Sequence, residues 1–436
     1  MKHKLPLRQR QWYKLDNAAK AFPGQNSSSW SNVFRLSATL TEKIDPALLQ
    51  IALERIMPRF PSFDVRMRNG LFWHYLEKNP NVAPSVMPDM ANPCLRIKFK
   101  ENKGYLFRVY YYENRISVEF YHVITDGFGG SRFFMTLIAE YLRQTGKDIP
   151  SGESVFDINE APKPEESEDA YLKNSDSKAK AKMIYKHSYQ FRGVRLPKHR
   201  LCVTTGYIPV DAIKEKAKEY GVTVTEYLAS VLVWVMYNMQ KEENVKKQKP
   251  IGVQIPVNVR NLFPSETLRN FMLCYCFQLD PKMGDYTFEE ITKQLSLYLR
   301  YVNNKKELKA MMKGNAGFET NPLMRVCPSF VKDFAIKMVY VFGGEKATSS
   351  LISNVGIIKT PKEMEQYIEK FAFVMGPGMH IGARCGAFTY KDTLALSVSN
   401  IYEENIVQRN IFTTLVRFGI PVKIESNRHV ITGGDG

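Results

Sequence analysis

Between residues 115 and 142 the apolar residues change their spacing once, and that change constrains the fold more than any other feature of the chain. In "RISVEFYH", Ile116, Val118 and Phe120 alternate with Ser117 and Glu119, the period-2 pattern of a half-buried strand. Phe133, Phe134, Leu137, Ile138, Tyr141 and Leu142 then fall at helical spacing, with Gly146 placed to close the helix. "TDGFGGS" joins the two, with glycines at 127, 129 and 130. The stretch is a strand, a glycine-rich bend and a helix.

Elsewhere strands and helices mix without a strict βαβ alternation, which predicts an α+β fold of sheets with helices outside. Residues 45–57 read as a helix, with Asp45 as N-cap and Pro46 at its first position. "CLRIKFK" (94–100) and "YLFRVYYY" read as strands. Residues 151–199 are polar, with an acidic knot and then a basic run, and are expected to be a surface linker. It divides an N-terminal lobe (1–150) from a C-terminal lobe (200–436). The second lobe opens with a strand near "LCVTTGYIPV" and a helix capped by Asp211. A nearly all-apolar helix follows, begun by a Thr223–Glu226 capping box. Strands at "IGVQIPVNVR" and "FMLCYCFQL", a basic helical stretch, a hairpin turning at Lys391–Asp392 and a helix over 403–418 complete it.

The formal net charge of +17 suits a polyanion: nucleic acid, an anionic membrane or a phosphate-bearing small molecule. No zinc-finger spacing, RNP-like aromatic string or basic zipper is present, so no nucleic-acid partner is expected. A solvated basic surface accounts for the charge equally well. The six cysteines form no Cys-x-x-Cys, so no metal site is expected. No apolar region follows the basic N-terminus, and the longest apolar run, near Leu228–Met236, is far short of the ~20 residues of a membrane span. These features predict a reducing cytoplasm, free thiols and no membrane span.

His122 closes the strand at 115–121. A histidine held there by rigid backbone suits general-base work near neutrality, and Asp126 could orient it or pair with a basic residue elsewhere. The glycines would let the chain turn sharply and leave room for a substrate. A buried, satisfied histidine before an Asp-Gly turn fits the same residues.

His122-Val-Ile-Thr-Asp126-Gly127 matches the His-x-x-x-Asp-Gly motif of the CoA-dependent acyltransferase superfamily, which includes chloramphenicol acetyltransferase and peptide-synthetase condensation domains. The chain most resembles its alcohol acetyltransferases. "LPLRQRQWYKLDNAA", "LLQIALERIMPRFPSF", "IPVNVRNLFPSETLRNFM" (where an arginine precedes an Asn-Phe) and "LISNVGII" are similar to further segments of such enzymes. The resemblance implies two similar lobes, each a mixed sheet with flanking helices, and an active-site tunnel between them. It implies acyl-CoA, as acetyl-CoA, as co-substrate without a permanently bound cofactor, and an alcohol or amine as acceptor. His122 would be the general base, with Asp126 and Gly127 completing the motif. Arg260 would be the structural partner of Asp126, and Ser353, Asn354 and Gly356 the oxyanion or tunnel residues. An acyl carrier protein as donor, or a non-catalytic binding module, are the alternatives. Tyr121 stands where condensation domains carry a second histidine, and the Asp-Phe-Gly-x-Gly of plant enzymes is missing. Asn258 stands where relatives often have an aspartate.

Lys246, Lys247 and Lys249, or Lys305, Lys306 and Lys309, could meet CoA phosphates. "FGGEKATSS" lacks P-loop spacing, and no Gly-x-Ser-x-Gly elbow exists. His380 reads as a loop histidine, His74 as a strand residue among aromatics, and Cys274 and Cys276 as packed thiols.

Overall fold

The computed structural model describes residues 12–428 apart from 28, 177, 179–183, 198–199, 244–246 and 321–325, and without the side chains of 316–320. Lys246 and all of "LPLRQRQ" lie outside the described residues. Three sheets form. Trp12–Lys14 (β1), Val65–Asn69 (β3) and His74–Lys78 (β4) make a small antiparallel sheet with β4 in the middle. The second sheet orders Ile368–Met375 (β12), Val33–Leu40 (β2), Arg115–Tyr121 (β7), Phe107–Tyr112 (β6) and Met87–Pro88 (β5). The third orders Met272–Leu279 (β10), Ile251–Asn258 (β9), Ser350–Ile358 (β11), Ala383–Tyr390 (β13), Thr393–Asn400 (β14), Cys202–Pro209 (β8) and Lys423–Ser426 (β15). Both large sheets are mixed: β5–β6, β9–β11 and β11–β13 pair in parallel.

Helices α1 (Pro46–Ile56) and α2 (Gly127–Gln144) pack together by the second sheet. Asp45 caps α1 by accepting from the N–H groups of Ala47 and Leu48 at 2.8 and 3.2 Å. Under α2, Phe133 stacks on Phe63 at 4.7 Å and meets Phe107 and Phe120 edge-on, which anchors the helix to β6 and β7. Beside the third sheet lie α3 (Val210–Glu219), the buried α4 (Val224–Glu242) with its Thr223–Glu226 capping box, α5 (Phe288–Val302), α6 (Lys305–Thr320) and α8 (Ile406–Arg417). Helix α7 (Ser329–Val339) packs on the turn at 23–25.

Five expectations are corrected. Residues 94–100 form no strand: Cys94 has φ +60°, and side chains take the backbone groups a ladder would have used. Glu119 accepts from the Cys94 N–H at 2.6 Å, and Asn26 and Arg108 donate to the carbonyls of Ile97 and Leu95. Strand β7 is buried on both faces, because Glu119 is paired with Arg35 and Arg108, and Ser117 meets Ser37 at 2.9 Å. Asp211 sits inside the first turn of α3, facing its dipole, and does not cap it. The linker is partly buried: Glu166 takes a bidentate pair from Arg59 at 2.6 and 2.8 Å, and the Tyr171 hydroxyl donates to the Met272 carbonyl. The division into 1–150 and 200–436 fails for one strand: β12 pairs antiparallel with β2 and so completes the N-terminal sheet.

Candidate functional site

Strand β7 ends at Tyr121, and the His122 N–H donates to the Asn32 carbonyl at 2.9 Å. The half-buried imidazole lies between Phe22 and Phe34, with ring centroids 5.0 and 5.2 Å away. Its Nδ1 is 2.8 Å from Oδ1 of Asn270, which comes from the chain just before β10. The Asn270 amide nitrogen faces two acceptors, the His122 carbonyl at 2.9 Å and the Asp16 carboxylate at 3.1 Å. The amide can therefore face the ring only with its oxygen. Nδ1 must carry the proton, and the free lone pair is on Nε2. Asp16, fully buried, also accepts from the Ala19 N–H at 2.8 Å, with Arg269 at 3.6 Å. Burial pushes the Asp16 carboxyl above its usual range against the pull of Arg269. Burial likewise holds the His122 imidazolium pKa below the ordinary 6.5, opposed by the charge of Asp126 and by Asn270.

Asp126 is saturated. Its Oδ1 caps α2 by accepting from Phe128 and Gly129 at 3.1 and 3.2 Å. Its Oδ2 accepts from Arg260 Nη1 and from the Phe271 N–H, both at 2.8 Å. Arg260, also buried, donates to the carbonyls of Thr267 and Arg269 at 2.9 and 2.6 Å, and Asn258 accepts from its backbone N–H at 3.1 Å. The pair therefore fixes the 267–271 segment, Asn270 included, against the start of α2.

The glycines do other work than expected. None of Gly127, Gly129 and Gly130 has positive φ; all three lie in the first turn of α2. A Cβ on Gly129 would overlap the Leu268 carbonyl and the Thr125 hydroxyl, and one on Gly130 would come within 3.1 Å of the Phe34 ring. A Cβ on Gly127 would lie 3.1 Å from Val355 of β11. Close approach of backbone, not a sharp turn, requires glycine at 129, and at 127 and 130 a Cβ would crowd neighbouring side chains.

Val355 brings β11 to the start of α2, and Ser353 shares its face of the strand by alternation. Ser353 is half-buried, and its hydroxyl makes no hydrogen bond among the described residues. Asn354 points to the opposite face, donating to Thr225 at 2.9 Å and accepting the Gly356 N–H at 2.9 Å. It thereby holds the irregularity where Gly356 reaches φ +94°. The Gly356 N–H is thus committed to Asn354.

The remaining residues lie elsewhere. The His380 N–H donates to Glu345, and the His74 ring meets Asp333 at 2.8 Å. Lys309 pairs with Asp176, while Lys247, Lys249, Lys305 and Lys306 are exposed. All six cysteines are free. Among the described residues no cluster of His, Cys, Asp or Glu could hold a metal ion, and no helix is long and apolar enough to cross a membrane. Asn270 and Asp16 are the site residues that sequence reasoning missed. The Asn-Phe after Arg260 was the available signal for the first; Asp16 had none.

The family model of the alcohol acetyltransferases matches residues 208–417. No curated protein matches the chain significantly. Among solved structures, polyketide synthase associated protein 5 from Mycobacterium tuberculosis is 15% identical, with a TM-score of 0.61 over 92% of this chain and 96% of that one. Trichothecene 15-O-acetyltransferase from Fusarium sporotrichioides is 12% identical, with a TM-score of 0.55 over 96% of both chains. The starter condensation domain of rhizomide synthetase, solved with C8-CoA and Leu-SNAC, is 10% identical, with a TM-score of 0.57 over 93% of both. The fold is the one shared by these acetyltransferases and condensation domains.

Proposed function

We propose that this chain, an alcohol acetyltransferase-like acyltransferase, moves an acetyl or other acyl group from acyl-CoA to a hydroxyl or amine acceptor, with His122 as general base. The observation that carries the reading is the Asn270 amide, whose partners leave His122 with a lone pair on Nε2. Nε2 takes the acceptor's proton as its oxygen or nitrogen attacks the thioester carbonyl carbon. The tetrahedral oxyanion then collapses, the C–S bond breaks, and the imidazolium returns the proton to the departing CoA thiolate. Ser353 is the side chain we assign to the oxyanion, since its hydroxyl is uncommitted on the face that meets α2. Asp126 relays no proton: four donors occupy its carboxylate, and its task is to hold the loop through Arg260.

The positive charge suits the phosphates of CoA, with Lys247, Lys249, Lys305 and Lys306 free to meet them, in a cytoplasmic setting that keeps thiols reduced. A carrier-protein thioester is the second reading, favoured by the likeness to condensation domains. Thiol release from acetyl-CoA over a panel of alcohols and amines tests the proposal, with His122→Ala alongside. Acceptor-dependent release that falls by orders of magnitude in the variant is expected. Equal rates in both proteins would remove His122 as base, and release only from a carrier-bound donor would favour the second reading.

A further inference from the structure

Helix α7 and the turn after it bury Ile336 and Val341 but leave most of their large apolar side chains outside, while a lysine is taken in. Lys332 is only 2% exposed, with its ammonium donating to the Phe72 carbonyl at 2.8 Å and lying 3.5 Å over the Trp73 ring. Asp333 is turned inward onto His74. Phe330, Phe334 and Val339, by contrast, are 72%, 66% and 66% exposed. Val331 and, in the turn beyond the helix, Phe342 are exposed as well, and Leu71, whose carbonyl accepts from the Ser329 N–H at 2.9 Å, adds an exposed side chain next to the start of the helix. Exposed apolar residues gathered on one side of a helix mark an interaction surface.

We propose that this face docks in the plane of an anionic lipid bilayer. Charge selects that occupant. The two acidic residues between 329 and 347 point away from the face: Asp333 pairs with His74, and Glu345 is buried with Arg384. The cations do not. Lys337 lies about one turn from Phe334 and two from Phe330 along the helix, and the Lys346 ammonium sits 3.9 Å over the Phe342 ring. Apolar side chains flanked by lysines, on a chain of net charge +17, match the combination that holds amphipathic helices at anionic membranes. Eleven residues of helix span roughly 16 Å, about half of a bilayer core, so the helix lies in the surface and does not cross it.

Flotation with vesicles of phosphatidylcholine alone, and of phosphatidylcholine with phosphatidylglycerol, tests the proposal on the full chain. We compare wild type with F330S/F334S, using unfolding midpoints to show that both are folded. Wild type floats with the anionic vesicles and is released by high salt, while the variant partitions roughly 100-fold more weakly, as expected for losing two inserted aromatic rings. Equal flotation of the two proteins, or no preference for anionic vesicles, would overturn it. So would a concentration-dependent dimer in light scattering that the same substitutions disperse, because the face would then belong to a second copy of the chain. These readouts are independent of acyl transfer.

Discussion

Replacing Asn270 by alanine removes the acceptor from His122 Nδ1 and leaves the other contacts of the ring in place. In the resting site that hydrogen bond joins two neutral groups and contributes about 1 kcal/mol. As Nε2 takes the acceptor's proton the ring becomes imidazolium, and the same contact becomes charge-assisted, about 1.5–3 kcal/mol. The difference, about 0.5–2 kcal/mol, is present only in the transition state and corresponds to a roughly 2- to 30-fold fall in rate. Loss of the tautomer preference adds a further few-fold, so kcat should fall by roughly 5- to 100-fold with little change in KM. The pH profile separates this from general damage. The base works as the neutral ring, so the rate rises with pH through the His122 pKa, and the bond to Asn270 raises that pKa. Its removal should move the acid limb to lower pH. Single-turnover acyl transfer across pH, with unfolding midpoints as control, measures both. A folded variant with kcat within about twofold of wild type, or with its acid limb moved upward, would refute the assignment.

Three further outcomes follow from the same geometry. Arg260→Met should destabilise the chain by about 3–5 kcal/mol in urea unfolding, since Asp126 is left as an unpaired buried charge; Arg260→Lys should rescue little, because one ammonium cannot serve Asp126 and the Thr267 and Arg269 carbonyls together. Gly129→Ala should cost more than about 2 kcal/mol and lower activity, as its methyl displaces the Leu268 carbonyl that Thr125 holds. In wild type, kcat/KM should rise through a midpoint below 6.5, because burial disfavours the imidazolium; a midpoint above 6.5 in buffers of constant ionic strength would contradict that.

What could be read from the sequence was local. Asp45 before Pro46, the Thr223–Glu226 box and the turn at Lys391–Asp392 sit next to the elements they begin or join, and each formed where its residues predict. The strand pattern at 94–100 misled because its backbone is satisfied by Asn26, Arg108 and Glu119, none of them neighbours in sequence. Glycine gives one signal for two needs, positive φ and close approach, and only the packing of Leu268 and Phe34 distinguishes them at 129 and 130. The motif singled out His122, but its tautomer was not legible, since it depends on an asparagine and an aspartate separated by most of the chain.

The pairing of β12 with β2 also bears on how the chain is made. During synthesis β2 emerges with one side unpaired, and the strand that covers it follows only after residues 41–367 have been made. An uncovered strand edge is a template for wrong pairing, and contacts so distant in sequence form slowly. The N-terminal lobe should therefore be a poor candidate for expression by itself, and truncations ahead of residue 376 should aggregate even though they keep His122 and its loop.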